Sequence, residues 1–223
     1  HIDRLSYYKM NKLHIHLTDD QGWRVEVKKY PKLTSEGAWR NYNNHDSVCI
    51  KNSKENPDFE IDHRFIINKW EKDMYGGYFT QDQIKELVKY AESKHVELIP
   101  EVDMPGHMAA AISAYPFLAE GKTGWGKKFS VPICPCNDDV YTFIDGVLDE
   151  IIELFPSKYI HVGADEVEKI TWEETEAGKK RMEREGLKNV TEPQSYVVHN
   201  VPDYVESQGK KVIGWDEVVY SGI

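Results

Sequence analysis

Four short apolar segments, each ending in acidic residues, are spaced along the chain: KLHIHLTD (12–19), VELIPEVD (96–103), YIHVGADE (159–166) and KVIGWDE (211–217). Apolar runs of this length, bounded by polar residues, predict buried β-strands. The segments between them show the spacing of helices. Strands and helices that alternate in this way predict an α/β fold built on a parallel sheet.

Two of the intervening segments place their apolar residues on one helical face. The first follows Thr80, a predicted N-cap, and the apolar residues on its common face are Ile84, Leu87, Val88 and Ala91. The second, residues 138–155, repeats the spacing at Val140, Phe143, Ile144, Val147, Leu148, Ile151 and Ile152. Both segments are therefore predicted to be amphipathic helices.

The predicted strands have one apolar face and one polar face. Along the first strand, polar positions alternate with apolar ones: His14, His16 and Thr18 against Leu13, Ile15 and Leu17. A strand covered by helices on one side and facing a polar barrel mouth on the other shows this pattern. A strand between two helical layers is apolar on both faces. The pattern therefore favours a TIM-type (β/α)8 barrel over a doubly wound sheet.

Two segments interrupt the alternation of strands and helices. Residues 40–75 are mostly polar, rich in Asn and without a steady period, and residues 121–136 (GKTGWGKKFSVPICPC) have a similar character. The first follows the first predicted strand, on the face of a barrel where active-site loops are inserted. We interpret both as surface excursions from a single domain that spans residues 1–223.

Composition and charge exclude several classes of function. The 223 residues include 38 acidic and 28 basic side chains, for a formal net charge of −10, and no stretch gathers Lys and Arg. Binding to a nucleic-acid backbone therefore has no electrostatic support. No apolar run approaches the roughly 20 residues that span a bilayer. The three cysteines, Cys49, Cys134 and Cys136, are an odd number and predict unpaired thiols.

The acids at the ends of the predicted strands are candidates for chemistry, because active sites of barrels form at the carboxyl ends of their strands. A single acid there could instead cap the next helix. Asp165 and Glu166 are adjacent, so in an extended strand they point to opposite sides and cannot have the same role. They also cannot straddle a sugar ring as the paired carboxylates of most retaining glycosidases do. One acid could protonate a leaving group while the other orients a nucleophile that the substrate supplies.

Four longer segments carry a family resemblance: YKMNKLHIHLTDDQGWRVEVKKYPKLTSEGAWR (8–40), YGGYFTQDQIKELVKYAESKHVELIPEVDMPGHMAAAISAYP (75–116), FPSKYIHVGADEVEK (155–169) and GWDEV (214–218). In this order they resemble the signatures of the β-N-acetylhexosaminidases, family twenty of the glycoside hydrolases. The resemblance implies a TIM-barrel catalytic domain without metal or cofactor. It would cleave terminal β-linked N-acetylglucosamine or N-acetylgalactosamine from glycans with retention. The nucleophile would be the substrate's own 2-acetamido group, which forms an oxazolinium ion.

The resemblance also implies roles for individual residues. Glu166 would be the general acid and base, and Asp165 would orient and stabilise the acetamido group. His107 would join one acid of LTDD in a hydrogen-bonded chain to Glu166. Both Asp19 and Asp20 remain candidates for that acid.

A second set of residues is assigned to substrate binding. Trp215 of GWDE would line the acetamide pocket, with a place in the core as the alternative. Glu101, Asp103 and His161 would contact the sugar or support the site from within the barrel. His107 could also be a structural histidine at the start of a helix.

Two features depart from the family pattern. Many members have two glycines before the acid pair, whereas Ala164 follows Gly163 here, and a positive φ would strain it by roughly 1 kcal/mol. A full barrel also needs about 250 residues, and only four strands are recognisable. We therefore expect an incomplete barrel that lacks its first and last strands. Such a chain would be weakly active or inactive by itself, with open sheet edges that favour self-association.

Two other classes of function compete with this interpretation. A metal-dependent barrel hydrolase could use His14 and His16 as a ligand pair at the end of a strand. A sugar-binding domain without catalysis is the second alternative, although it would be expected to lack Asp165 or Glu166. The family resemblance favours a secreted, periplasmic or lysosomal location over the cytoplasm.

Overall fold

The computed structural model describes residues 1–69, 71–120, 132–167, 172, 175–186 and 200–217. Its strands are β1 (Lys12–His16), β2 (Thr18–Asp19), β3 (Gly22–Trp23), β4 (Trp39–Asn41), β5 (Ile66–Lys69), β6 (Lys72–Gly76), β7 (Glu97–Glu101), β8 (Tyr159–His161) and β9 (Lys211–Ile213). Its α-helices include α1 (Ile2–Tyr7), α2 (Lys32–Ser35), α3 (Asn44–Asn52), α4 (Gln81–Ser93), α5 (Ala109–Ala114), α6 (Asp138–Leu154) and α7 (Glu176–Glu185). Residues 200–207 are also helical.

The core is a parallel sheet with the strand order β1-β7-β8-β9, which confirms the four predicted strands. Its register places His16, Glu101 and His161 in one row across three adjacent strands. Residues in one row of a sheet point to the same face. These three side chains therefore lie together on the polar face that the sequence predicts.

The two predicted helices cover the apolar face of the sheet. Helix α4 begins after Thr80, whose hydroxyl accepts the N–H of Gln83 in a reciprocal capping box, and it packs against β7 and α6. Helix α6 begins after Asn137. Its buried side chains join the core together with Ile84 of α4 and Ile160 of β8. Burial of these apolar stripes holds the helices on the sheet.

Residues 40–75 are more regular than their sequence predicts. They contain helix α3, which Asn43 caps, and most of an antiparallel sheet with the order β4-β6-β5. The short strands β4 and β5 are at most partly buried, so no apolar alternation marks them in the sequence. An ion pair between Arg40 and Asp46 joins β4 to α3.

The second excursion lies partly outside the described residues, which exclude 121–131. Within the remainder, Cys134 and Cys136 form a disulfide, and Cys49 is free. The prediction of unpaired thiols is therefore wrong for two of the three cysteines. Their Cα atoms are 5.2 Å apart, within the range that a disulfide requires.

In the described part of the chain, the core sheet has four strands and does not close on itself. Strands β1 and β9 each pair on one side only, as expected for an incomplete barrel. Over the same residues, every helix is too short or too polar to cross a bilayer.

Candidate active site

The loops that follow β1, β7, β8 and β9 meet at one edge of the core sheet because these strands are parallel. The structure brings the nine predicted site residues together there in two adjacent groups. The group around His107 contains Asp19, Asp20, Asp165 and Glu166. The group around Glu101 contains His161 and Trp215, and Asp103 lies beneath the loop after β8.

His107 lies between two pairs of carboxylates. Its Nδ1 atom is 3.4 Å from Asp20 Oδ2 and 3.6 Å from Asp19 Oδ1. Its Nε2 atom is 3.5 Å from Glu166 Oε2 and 3.7 Å from Asp165 Oδ2. Hydrogen bonding with Asp19, and then with Asp20, raises the pKa of His107 to about 11. His107 is therefore a cation at neutral pH, in contact with both acids that follow β8.

Both acids of LTDD contact His107, but they differ in their other partners. Asp20 Oδ1 accepts the backbone N–H of Ala109, at the start of α5, at 3.0 Å. Asp19 Oδ2 lies 3.0 Å from His16 Nε2. Burial by itself raises the pKa of Asp19, but hydrogen bonds with His107 and His16 outweigh burial and hold the pKa below its ordinary value. Asp20 thus connects His107 to α5, and Asp19 connects it to β1.

The backbone after β8 leaves strand geometry before it reaches the two acids. Gly163, Ala164 and Glu166 have φ angles of 67°, 73° and 47°, in the left-handed region. The sequence predicts that Asp165 and Glu166 point to opposite sides of an extended strand. The backbone is not extended at these residues, and both side chains approach His107. Their side chains differ in exposure, at 23% for Asp165 and 59% for Glu166. Because Ala164 has a positive φ, its backbone is strained by about 1–2 kcal/mol.

Gly163 is required by a close approach as well as by its backbone angle. A Cβ atom at this position would lie 1.8 Å from Asp103 Oδ1. We expect Gly163→Ala to lower the free energy of unfolding by about 3 kcal/mol, from left-handed strain and displacement of Asp103. Urea unfolding of the variant measures this loss.

Gly209 provides the matched control for this substitution. Its φ is +78°, and a Cβ atom there would meet no other atom within 4 Å. Gly209→Ala should therefore cost only the strain of the backbone, about 1 kcal/mol. Equal losses in the two variants would contradict the close approach to Asp103.

Asp103 is buried under the loop that carries the two acids. Its backbone N–H donates to Thr18 Oγ1 at 2.9 Å, and its Oδ1 atom accepts the N–H of Ala164 at 3.2 Å. Burial, followed by the charge of Asp165, raises the pKa of Asp103 to about 8. With 1% of its surface exposed, Asp103 is placed to support this loop from below.

Glu101 is the buried centre of the second group. Its Oε2 atom is 2.7 Å from His14 Nε2 and 2.9 Å from His16 Nδ1. The indole Nε1–H of Trp215 donates to its Oε1 atom at 3.2 Å. Burial by itself raises the pKa of Glu101, but hydrogen bonds with His16 and His161 outweigh burial and hold it well below its usual range. Glu101 is therefore a buried carboxylate.

Trp215 lies beside the loop that carries the acids. Its backbone N–H donates to the carbonyl of Gly163 at 2.9 Å, and its ring centroid is 4.9 Å from that of His161. The residue is 42% exposed, so it does not belong to the core. Its edge is anchored while part of the indole remains exposed. Its predicted place in the wall of an acetamide pocket stays a prediction.

The histidines form a hydrogen-bonded cluster rather than an arrangement suited to a metal. Ligand atoms of His14, Glu101 and His161 lie within 4.8 Å of one another. However, His161 Nδ1 accepts the N–H of Gly163 at 3.1 Å, so its lone pair is occupied. Hydrogen bonding with Asp19, and then with Glu101, raises the pKa of His16 to about 10, so a metal would have to displace a proton from this imidazole. These features disfavour His14 and His16 as a ligand pair.

Three buried carboxylate oxygens of the site have no hydrogen-bond donor in the described part of the chain, namely Asp20 Oδ2, Glu101 Oε2 and Asp165 Oδ1. The first two lie within 3.4 Å of a histidine nitrogen. Asp165 Oδ1 is buried and unpartnered within the part of the chain that the structure describes. A buried acceptor without a donor is costly, and such atoms are commonly satisfied by a water or a ligand. Asp165 is therefore ready to accept a hydrogen bond from a bound molecule.

Sequence reasoning missed the contribution of His16 to this site. The sequence places His16 on the polar face of β1, but its two carboxylate partners come from different segments. Asp19 reaches it across a tight turn, and Glu101 lies opposite it on β7. The pairing register of β1 with β7 was the missing information.

Comparisons with known proteins agree with this geometry. Residues 1–223 match the family described as "Glycosyl hydrolase family 20, catalytic domain". The chain is 36% identical over 229 residues to a beta-hexosaminidase of Porphyromonas gingivalis, which covers 100% of this chain and 26% of that protein. It is 35% identical over 222 residues to a beta-hexosaminidase of Vibrio furnissii, covering 97% of this chain and 33% of that protein.

A solved structure gives the same result. The exo beta-N-acetylglucosaminidase of Vibrio harveyi, in complex with N-acetylglucosamine, superposes with a TM-score of 0.79 and 35% identity. The match covers 97% of this chain and 32% of that chain. The protein described here thus spans between 26% and 33% of the length of these three relatives.

These matches confirm the fold class, since catalytic domains of this family are TIM barrels, and the parallel sheet is an incomplete barrel of that class. The long motifs, the register of the sheet and the carboxylates around His107 lead to the same assignment. The chain belongs to glycosyl hydrolase family 20.

Proposed function

We propose that this domain is a retaining exo-glycosidase that releases terminal β-linked N-acetylglucosamine or N-acetylgalactosamine from glycans. The observation that carries the proposal is the unpartnered Asp165 Oδ1, which lies beside the more exposed Glu166. One acid can accept a hydrogen bond inside the site while the other reaches an open edge. The names of the relatives, beta-hexosaminidases and an exo beta-N-acetylglucosaminidase, support the same substrate class.

The first step uses the two acids in different ways. The acetamido N–H of the substrate donates to Asp165 Oδ1, and the acetamido carbonyl oxygen attacks the anomeric carbon. The bond from that carbon to the aglycone oxygen breaks, and Glu166 gives its proton to the departing oxygen. The product is a positively charged oxazolinium ring beside the Asp165 carboxylate, which lowers the energy of that charge.

The second step returns the proton and opens the ring. The Glu166 carboxylate takes a proton from water while the oxygen of that water attacks the anomeric carbon. The bond between this carbon and the acetamido oxygen breaks, and the acetamide is restored. Two displacements at the same carbon leave its configuration unchanged, so the released sugar retains the β-configuration.

His107 and its partners stabilise the charges that appear on Glu166. When Glu166 has given up its proton, its carboxylate lies 3.5 Å from the His107 imidazolium. Asp19 and Asp20 hold the other ring nitrogen of His107 and keep the ring charged and oriented. A positioned cation of this kind favours proton transfer to the leaving group.

Hydrolysis of 4-nitrophenyl β-N-acetylglucosaminide and its galactosaminide tests the proposal, with proton NMR to identify the anomer released first. We expect the β-anomer first, because the mechanism retains configuration. We also expect turnover to be unchanged after treatment with a chelator. Release of the α-anomer first would contradict the mechanism. Binding of N-acetylglucosamine without any turnover would support either the alternative, a sugar-binding domain, or the expectation that the incomplete barrel is inactive by itself.

A further inference from the structure

We propose that His16 is a positioning residue that clamps Asp19 to Glu101 and so couples the wall formed by Trp215 to His107 and Glu166. The inference rests on the proposed function and extends it to a residue that does not reach the substrate. It rests on a continuous line of contacts between side chains from four parts of the chain.

The line of contacts begins at Trp215 and reaches His16 through one buried carboxylate. The indole N–H of Trp215 donates to Glu101 Oε1 at 3.2 Å. The other oxygen of Glu101 lies 2.9 Å from His16 Nδ1. One oxygen of the Glu101 carboxylate thus accepts the indole N–H, and the other lies within ion-pair distance of the imidazole ring.

From His16 the line continues to the catalytic acid. The second ring nitrogen, Nε2, lies 3.0 Å from Asp19 Oδ2. The other oxygen of Asp19 is 3.6 Å from His107 Nδ1, and His107 Nε2 is 3.5 Å from Glu166 Oε2. Each of the two imidazoles thus uses both of its nitrogens to join carboxylates. His16 is the link between the two groups of site residues.

The charges around His16 favour its protonated form. It faces Asp19 on β2, Glu101 on β7 and Asp103 in the loop after β7, with His14 as its neighbour on the same face of β1. Burial, the largest effect on His14, lowers its pKa, so His14 is the neutral partner of Glu101. His16 is then the cation that balances the buried Glu101 carboxylate.

His161 cannot replace His16 in this role. Its Nδ1 atom accepts the N–H of Gly163 and is 3.4 Å from Glu101 Oε1. Its Nδ1 atom is shared with the Gly163 N–H and lies near Oε1 of Glu101, whereas His16 faces the other oxygen, Oε2. Loss of His16 would therefore leave Glu101 as a buried charge without its cation and would release Asp19 from β1. The Trp215 indole and the His107 ring would both lose an anchor.

Proton NMR of the imidazole rings tests the electrostatic part of the inference without any need for turnover. We expect the His16 ring of the folded protein to remain protonated up to about pH 9, because two carboxylates face it. Asp19→Asn should lower the midpoint of this titration by at least about 1 pH unit. A His16 midpoint below pH 7, or a midpoint that Asp19→Asn leaves unchanged, would overturn the clamp.

Kinetics tests the functional part. We expect His16→Gln to lower kcat/KM for a β-N-acetylglucosaminide by about 10- to 100-fold, from displaced catalytic groups. The alkaline limb of the pH profile should move to lower pH. His16→Arg, which keeps a cation with two or more donors, should recover at least half of the lost activity on a logarithmic scale. His63→Gln is the control, since His63 is exposed and belongs to the excursion of residues 40–75.

The outcomes separate the two proposals. If the protein shows no hexosaminidase activity, the proposed function fails for this incomplete barrel by itself, while the NMR titration still decides whether His16 is clamped. If the protein is active and kcat/KM of the His16→Gln variant stays within about 2-fold of that of the unchanged protein, the coupling role is wrong. If both His16 variants lose activity equally with an unshifted pH profile, His16 has a merely structural role and the inference is overturned.

Discussion

Replacing Glu166 with Gln is expected to lower kcat/KM for a β-N-acetylglucosaminide with an alkyl leaving group by about 10²- to 10⁴-fold, the usual contribution of a general acid. Glutamine has the same size and can contact His107, but it cannot give a proton to the departing oxygen. Glu166 is 59% exposed at its side chain, so the substitution leaves the core intact. Thermal unfolding should confirm that stability is nearly unchanged.

The size of the Glu166→Gln effect should depend on the leaving group. A nitrophenolate departs without full protonation, so for 4-nitrophenyl substrates the first step should lose much less than for alkyl glycosides. Glu86→Gln is the matched control, because Glu86 is exposed on α4, which covers the opposite face of the sheet. An equal loss for both leaving groups would contradict the assignment of Glu166 as the acid.

Replacing Asp165 with Asn is expected to lower kcat/KM by about 10²- to 10³-fold, as for removal of one group that stabilises charge in a transition state. Asparagine keeps the shape of the side chain but loses the negative charge that faces the oxazolinium ring. Its side-chain NH2 group can also face the acetamido N–H, and two donors cannot form a hydrogen bond with each other. The loss should appear mainly in kcat, because the charge on the ring exists only after the attack.

The Asp165→Asn effect should not depend on the leaving group, which distinguishes it from the Glu166 variant. Steady-state kinetics on the alkyl and 4-nitrophenyl substrates measures this difference. Asp58→Asn, at an exposed residue of the excursion, is the control for removal of one negative charge. If Asp165→Asn raised KM alone and left kcat unchanged, Asp165 would be a simple binding residue.

The core sheet could be predicted from the sequence because its apolar runs and their polar alternation are local. The ends of the strands could not. The sequence predicts strand segments over 96–103 and 159–166, but β7 ends at Glu101 and β8 ends at His161. Ala164 and Glu166 have positive φ angles, which neither residue type favours, and the Ala164 N–H donates to Asp103, which lies 61 residues earlier in the chain.

The residues of the site could be predicted better than the contacts between them. Acids at the carboxyl ends of parallel strands must lie near one another, so the position of Asp165 and Glu166 follows from topology. The link from His16 to Glu101 depends on the register of β1 against β7, which the sequence does not encode locally. The small sheet within residues 40–75 escaped prediction because its short strands carry too little apolar alternation.

The division of roles between Asp165 and Glu166 is tested most directly by titration with a thiazoline, a sulfur-containing bicyclic mimic of the oxazolinium ion. We expect the protein to bind it at least about 10²-fold more tightly than N-acetylglucosamine, as analogues of high-energy states do. Asp165→Asn should remove most of this difference and leave affinity for N-acetylglucosamine within a few-fold. Equal affinities for the two compounds, or a thiazoline affinity that Asp165→Asn does not change, would contradict the account.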